Sequence, residues 1–160
     1  MSEHRLDAGD CLEAVIEDPA GSTVRHARDQ ATGTWTTYRH PHARRPWPAA
    51  YGHLPGTYNP IDDDALDVIV LSSMPLRTGQ RVRVRPIGVF VRPDGDHKVL
   101  AVRCNDPRYG GVVDLLQAPA EDLRAIEEWF ADWDIVLGWE SAEVAWQLIR
   151  SATGARDEPL

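Results

Sequence analysis

The hydrophobic pattern of the first two-thirds of the chain is typical of short β-strands. Between residues 80 and 92, two valines alternate with three arginines, a period of two that indicates a strand with one polar face. Four more β-rich segments are bounded by turn residues, and they span residues 12–17, 34–39, 67–72 and 98–103. Several short strands joined by turns predict a small barrel.

The last third of the chain changes to a helical period. Apolar residues recur three and four positions apart in two segments: Leu123, Ile126, Phe130 and Trp133 after Pro119, and Ala145, Leu148 and Ile149 after the potential N-cap Ser141. We therefore expect an α+β fold that is mainly β, in which a barrel of about five strands is covered by two C-terminal helices. The tryptophans of this region are interpreted as packing residues.

Length and composition agree with one ordinary globular domain. The chain has 160 residues, of which 42% are hydrophobic and 26% charged. We expect a single domain over residues 1–160, with frayed ends at about 1–10 and 152–160. The N-terminus has no signal-like apolar region, and no apolar stretch approaches the roughly 20 residues that span a bilayer. These features predict a cytoplasmic protein with no membrane partner.

Net charge and cysteine content narrow the classes further. A formal net charge of -8 argues against nucleic-acid binding, because phosphate backbones attract clustered positive charge. Cys11 and Cys104 lack metal-type spacing, and we expect them to be reduced thiols rather than a disulfide. Of 17 basic residues, sixteen are arginine and one is Lys98, so this lysine needs its own explanation.

An acidic cluster stands beside an apolar strand in the middle of the chain. Asp62, Asp63, Asp64 and Asp67 come directly before the apolar residues 68–71. Crowded carboxylates repel one another and lose hydration, so a positive partner is expected. The spacing does not fit a calcium loop of the EF-hand type, because Asp67 takes the glycine position. A solvated acidic loop is the alternative.

Three more carboxylates decide between these readings. Asp94 and Asp96 flank Gly95 in a predicted hairpin turn, and Glu17 ends the first strand. A barrel could bring all three toward the aspartates, and such hard oxygen ligands suit Mg²⁺ or Mn²⁺ acting on phosphate substrates. Phosphate oxygens could then be neutralised by Arg25, Arg39 and Lys98.

The sequence YGHLPGTYNPIDDDALDVIVL, at residues 51–71, together with the hairpin PDGDHKVLAV, closely resembles the soluble family I inorganic pyrophosphatases. The combination of the tyrosine-glycine entry, D-x-D-x-x-D and the later D-x-K is specific, whereas no piece is so alone. The resemblance is clear over residues 12–102. It implies an OB-like β-barrel, several Mg²⁺ ions, hydrolysis of inorganic diphosphate to two phosphates, and a homo-oligomer, commonly a hexamer.

The resemblance also implies roles for individual residues. Metal ligands are implied at Asp62, Asp67 and Asp96 for the tightest sites, and at Glu17 and Asp94 for metals that arrive with the substrate. Asp64 matches the residue that helps to deprotonate the attacking water. The diphosphate substrate is expected to contact Arg25, Arg39, Tyr51 and Lys98, of which Arg39, Tyr51 and Lys98 join Asp64 as the catalytic set.

Several positions depart from the family pattern, mostly on the phosphate-contacting side. They are Arg25 for a lysine, Ala27 for a metal-binding glutamate, Trp47 for a tyrosine, Asp63 and Ala65 for glycine and proline, and Trp133-Asp134 for a tyrosine-lysine pair. Two interpretations stay open. The chain is a working inorganic pyrophosphatase with an altered pocket, or the metal platform serves an organic diphosphate ester or a diphosphate-binding protein without turnover.

Overall fold

The computed structural model describes residues 9–29, 31–39, 45–132 and 134–157. These residues form eight strands, two α-helices and one short 3-10 helix at Leu115–Gln117. The strands are β1 (Leu12–Asp18), β2 (Val24–Arg28), β3 (Trp35–Arg39), β4 (Ala50–Asn59), β5 (Asp64–Leu71), β6 (Arg81–Phe90), β7 (Lys98–Arg103) and β8 (Trp139–Ser141). The helices are α1 (Ala120–Ala131) and α2 (Ala142–Asp157).

Five strands close into a barrel. They follow the order β1-β4-β5-β7-β6, and β6 pairs back with β1. The β5–β7 pair is parallel, and the other pairs are antiparallel. The short β8 adds to β6, while β2 and β3 form a separate hairpin. The predicted fold class, a mainly β, OB-like barrel with two C-terminal helices, is confirmed.

Both faces of the second half of strand β5 are buried, which explains the uninterrupted apolar sequence of residues 68–71. Val68 and Val70 pack in one core with Trp146 of α2. Ile69 and Leu71 pack in a second core with residues of α1. A strand covered on both faces loses the alternation of a half-exposed strand. The packing role expected of the tryptophans is confirmed for Trp146, whereas Trp133 lies outside the described residues.

Helix α2 extends to Asp157, so helical backbone continues into the segment 152–160 that was expected to fray. Residues 1–8 and 158–160 lie outside the described part. The described part of the proline-rich segment before β4, residues 45–48, has no helix or strand. No helix among the described residues is long and apolar enough to cross a membrane.

The two cysteines form a disulfide, so the expectation of reduced thiols is wrong. Cys11 and Cys104 are bonded, with their Cα atoms 6.6 Å apart. Both flank Arg83 of β6: the carbonyl of Cys11 accepts a hydrogen bond from the Arg83 side chain, and the Cys104 N–H donates to the Arg83 carbonyl. The fold therefore brings together two residues that are 93 positions apart, a proximity that their spacing does not reveal.

Candidate active site

Three carboxylates converge beside the parallel pair of strands β5 and β7. Asp67 lies in β5, Asp62 in the turn before β5, and Asp96 in the loop before β7. Val68 is paired with Val99, so the residues that precede them in the two strands are neighbours. Ligand oxygens of the three aspartates lie within 4.8 Å of one another. The sequence predicted this group, and the fold assembles it.

Lys98 supplies positive charge to this aspartate group. Its ammonium lies 2.7 Å from Asp67 Oδ2 and 3.0 Å from Asp96 Oδ2, and the residue is buried. Asn59 Nδ2 donates a 2.7 Å hydrogen bond to the other oxygen of Asp96. An ordinary surface lysine would be exposed. The chain's single lysine is instead buried against two of the three aspartates, so it is a part of the site. It is one of the positive partners that the clustered aspartates require.

The aspartate group keeps an excess of negative charge. Partial burial, followed by the repulsion of Asp96 and Asp67, raises the pKa of Asp62 to about 6, although Lys98 acts in the opposite direction. One ammonium therefore does not balance three carboxylates. The donors are all hard oxygens, which is the set that Mg²⁺ and Mn²⁺ prefer. The residues present fit a divalent cation.

Glu17 is held by a histidine that sequence reasoning did not select. Its Oε2 lies 2.8 Å from His53 Nδ1, and Thr78 donates a hydrogen bond to its carbonyl. Burial raises the pKa of Glu17, and the interaction with His53 opposes this shift. His53 is paired across the sheet with Asp67, so Glu17 stands close to the aspartate group. It does not belong to that group in the described structure.

Asp64 and Asp94 are exposed at the rim of the site. Asp64 begins β5, and its Oδ1 accepts the N–H of Ala65. Asp94 Oδ1 accepts the N–H of Asp96 at 2.9 Å, so Asp94 shapes the turn that carries Asp96. Neither carboxylate joins the group of Asp62, Asp67 and Asp96. Both retain oxygens that can face a substrate-borne ion or water.

Tyr51 and Arg25 lie together beside the aspartates. Tyr51 is buried and hydrogen-bonded to Asp67, and burial raises the pKa of its phenol well above the usual value. The phenol therefore stays protonated and can donate a hydrogen bond. The Arg25 guanidinium lies over the Tyr51 ring, 5.0 Å from its centroid. Arg39 ends β3, exposed, with no hydrogen bond or ion pair to the described residues.

The family comparison rests on sequence and on structure. A sequence model of the family described as inorganic pyrophosphatase matches residues 14–156. The chain belongs to the inorganic pyrophosphatase family. The inorganic pyrophosphatase of Leifsonia xyli subsp. xyli is 32% identical over 150 residues, covering 87% of this chain and 91% of that protein.

Two further comparisons give the same result. The inorganic pyrophosphatase of Haloferax volcanii is 31% identical over 163 residues, covering 95% of this chain and 92% of that protein. The crystal structure of inorganic pyrophosphatase from Thermus thermophilus superposes with a TM-score of 0.84 at 29% identity, covering 96% of this chain and 97% of that chain. The family resemblance expected from the sequence motifs is confirmed.

Two substitutions relative to the inorganic pyrophosphatase pattern are tied into the core. Trp47 is buried, and its ring stacks on Tyr51 and Trp129 with centroid distances of 4.5 and 4.0 Å. Its ring is thus packed against protein. Asp134 Oδ2 lies 2.6 Å from the guanidinium of Arg92, whose side chain is only 3% exposed. The aspartate at the family's lysine position is therefore part of an ion pair.

Ala27 opens the site on the side of Glu17. An open groove of about 850 Å³ is lined by Glu17, Asp64, Ala27 and Trp35, and it adjoins the three-aspartate group without being lined by it. The smaller side chain at position 27 leaves this groove wider than a glutamate would. Asp63, also on the groove, has a positive φ of 55°, which is the conformation that favours the glycine usual at this position of the family.

Sequence reasoning missed three residues that hold the site together: Asp18, His53 and Asn59. Asn59 and His53 lie inside the stretch that carried the family resemblance, but no carboxylate or cation pattern marked them. Asp18 directly follows the predicted first strand and precedes Pro19. An aspartate next to a proline is such a common turn signal that its burial could not be inferred from sequence.

Proposed function

We propose that this protein hydrolyses inorganic diphosphate to two phosphates with the help of Mg²⁺, and that Asp62, Asp67 and Asp96 bind the tightest ions. The observation that carries the proposal is the convergence of these carboxylates around Lys98, in a chain of the inorganic pyrophosphatase family. Mn²⁺ fits the same oxygen donors. Glu17 and Asp94 are proposed to bind ions that arrive with the substrate.

Bound divalent ions lower the pKa of water and offset the negative charge of a transferring phosphoryl group. The residues of the chain have separate tasks. Asp64 accepts the proton of the attacking water, and its exposure on the groove leaves room for that water. Tyr51 donates a hydrogen bond from a phenol that burial keeps protonated.

The cationic side chains bind the phosphate oxygens. Arg39 is exposed without a described partner, so it can meet an anion at little cost. Lys98 is shared between Asp67 and Asp96, and we propose that it turns part of its hydrogen bonding to phosphate when cations neutralise those carboxylates. Arg25, beside Tyr51, completes the phosphate-binding set.

Two further properties stay predictions from the family resemblance and composition. We propose a homo-oligomer, a hexamer by resemblance, which light scattering of the purified protein would test. We also propose a cytoplasmic location. The Cys11–Cys104 disulfide argues against this location, because disulfides persist mainly in oxidising compartments.

The test of the proposed function is phosphate release from inorganic diphosphate, measured with Mg²⁺ and after chelation by EDTA. We expect turnover that requires the metal. The control is Asp29→Asn, which changes an exposed turn residue whose carboxylate accepts hydrogen bonds from the N–H groups of Ala31 and Thr32, and it should leave the rate unchanged. The absence of phosphate release by the wild-type protein at saturating Mg²⁺ would refute the proposal.

The groove beyond Ala27 supports a second candidate, an organic diphosphate ester. Its volume of about 850 Å³ and the aromatic side chain of Trp35 could accept an organic group attached to the diphosphate. Turnover should then be higher on nucleoside or prenyl diphosphates than on inorganic diphosphate. Ala27→Glu would narrow the groove, and it should lower activity on the organic substrate while sparing or raising activity on inorganic diphosphate.

A further inference from the structure

A buried carboxylate next to the metal side has no role in the mechanism above. Asp18 follows Glu17 in β1, at an irregularity where Ile16 is paired with Gly52 and Asp18 with Tyr51. The side chain of Asp18 is fully buried. Its Oδ1 accepts hydrogen bonds from the His26 N–H at 2.7 Å and makes a 2.9 Å contact with His26 Nδ1. A buried carboxylate needs such partners.

The second oxygen of Asp18 faces Arg25. Asp18 Oδ2 lies 2.8 Å from Arg25 Nε as an ion pair, without the alignment of a hydrogen bond. The guanidinium is also held between aromatic rings, 5.0 Å from the centroid of Tyr51 and 5.4 Å from that of Trp47. No described residue forms a hydrogen bond with its two terminal nitrogens, and the side chain is 18% exposed.

We propose that Asp18 is a positioning residue for the substrate, which fixes Arg25 as a rigid two-nitrogen clamp for one phosphate group. The inference rests on the proposed function, and it deepens the role of Arg25. A guanidinium presents two parallel N–H donors that match two phosphate oxygens. This pairing strengthens binding only when the guanidinium is held in the right orientation. Contact through Nε leaves the terminal nitrogens for the anion.

Other carboxylates near Arg25 can also attract its guanidinium, which gives a second reason for the contact between Asp18 and Arg25. Arg25 is attracted by Glu17 as well as by Asp18. A long cationic side chain beside the metal ligands can pair with them, as Lys98 does with Asp67. Asp18 holds the guanidinium from the buried side and so keeps it against the Tyr51 ring. Where the family resemblance implies a lysine, this chain thus has both an arginine, Arg25, and a carboxylate, Asp18, that can hold its guanidinium.

The test is the variant Asp18→Asn, which retains the size of the side chain and removes its charge. We expect the KM for inorganic diphosphate to rise about tenfold, the scale of one charge-assisted hydrogen bond, with kcat changed much less. The matched control is Asp106→Asn, at another fully buried carboxylate that binds Ser73, Arg108 and Tyr109 outside the site. This control should lower the melting temperature without a change in KM.

A double-mutant cycle separates positioning from folding. If Asp18 acts through Arg25, Asp18→Asn should change KM less than about twofold in an Arg25→Lys background, because lysine has no fork to orient. Equal effects of Asp18→Asn in both backgrounds would overturn the inference. So would a lower melting temperature of Asp18→Asn with an unchanged KM.

Two further measurements keep each outcome decisive. Calorimetric binding of imidodiphosphate in the presence of Mg²⁺ tests the role of Arg25 without turnover. An unchanged affinity of the Asp18→Asn variant would refute the positioning role. If this variant binds more weakly but the wild-type protein releases no phosphate, only the proposed hydrolysis is refuted. Should Asp18→Asn fail to fold, Arg25→Ala decides. Millimolar guanidinium should restore the KM of Arg25→Ala, because it can occupy the space between Asp18 and Tyr51, whereas ammonium should have no effect. A KM that guanidinium does not restore would overturn the inference.

Discussion

The metal side and the phosphate side of the site are built differently. On the metal side, Asp62, Asp67 and Asp96 are the residues that the family pattern predicts, and the parallel strands β5 and β7 bring them together. At the positions where the family resemblance implies phosphate contacts, Arg25 and Asp134 each belong to an arginine–carboxylate pair that the pattern did not predict. These pairs are Arg25 with Asp18 and Arg92 with Asp134.

This difference shows that a residue which departs from a family pattern can be matched by a partner of opposite charge. Asp134, considered alone, places a negative charge where the family has a lysine. In the structure it is the partner of a buried guanidinium, so its charge is already balanced inside the protein. The group of Asp62, Asp67 and Asp96 leaves less room for such exchanges, because its oxygens converge on one place where a divalent cation fits.

The largest effect is expected from Asp67→Asn on the metal side. Asp67 contacts Lys98 and Tyr51 and belongs to the three-carboxylate group, and no nearby residue replaces it. Turnover should be abolished and Mg²⁺ binding weakened. Phosphate release and calorimetric Mg²⁺ titration measure the two effects, and substantial retained turnover would refute the assignment of Asp67.

Asp134→Lys tests the ion pair on the phosphate side. The change places like charge against the buried Arg92, so we expect a loss of about 3 kcal/mol in the free energy of unfolding. Asp132→Lys is the matched control, because Asp132 pairs with the exposed Arg45 and such surface pairs contribute little to stability. Urea denaturation compares the two variants. Equal losses would contradict the distinction.

Asp64→Asn separates proton transfer from metal binding. Asp64 lies outside the three-carboxylate group and lines the groove, so its proposed task is to accept a proton from water. We expect turnover to fall about a hundredfold, the scale of general-base catalysis, while Mg²⁺ affinity stays close to that of the wild type. An equal loss of affinity would move Asp64 into the set of metal ligands.

The pH dependence of Mg²⁺ binding should reflect Asp62. Its pKa is raised to about 6, so below that pH the carboxyl holds a proton in the metal-free protein, and a cation must displace it. Affinity should therefore be constant above pH 6 and fall by up to about tenfold per pH unit below it. Calorimetric titrations from pH 5 to pH 8 measure this. Asp62→Asn should bind more weakly with a flatter profile.

The smallest effect is expected at Asp63, the extra negative charge of the metal side. Asp63→Asn removes the charge and retains an acceptor for the Tyr58 hydroxyl, whereas Asp63→Gly also relieves the positive φ. Since Asp63 is exposed, each variant should change Mg²⁺ affinity less than about threefold. A higher melting temperature of Asp63→Gly than of Asp63→Asn would reveal backbone strain in the turn.

The sequence predicted those features that depend on local pattern. Five strands and both helices were placed from periodicity, and the metal carboxylates from spacing and resemblance. β4 was missed because Pro55 and Gly56 interrupt it, and the register shifts between Leu54 and Asn59. β2 and β8 were missed because they are short and largely polar.

The features that escaped prediction depend on contacts between distant segments. Cys11 meets Cys104 only because both flank β6, and Arg92 meets Asp134 across 42 positions of sequence. Arg25 and Asp18 are close in sequence, but the turn between them hid the burial of the aspartate. Local patterns carry no information about which polar side chain will be buried against which partner.

The closure of the barrel between β1 and β6 has a consequence for how the chain folds. Leu12 is paired with Val84 and Val15 with Arg81, so the strands that meet there are separated by most of the other barrel strands in sequence. Closing the long loop between such distant segments lowers the chain entropy before the native contacts form, and this slows folding. We expect the β4–β5 hairpin to form early and the junction of β1 with β6 to form late. During synthesis, the first strand must therefore wait unpaired on this side until β6 has emerged.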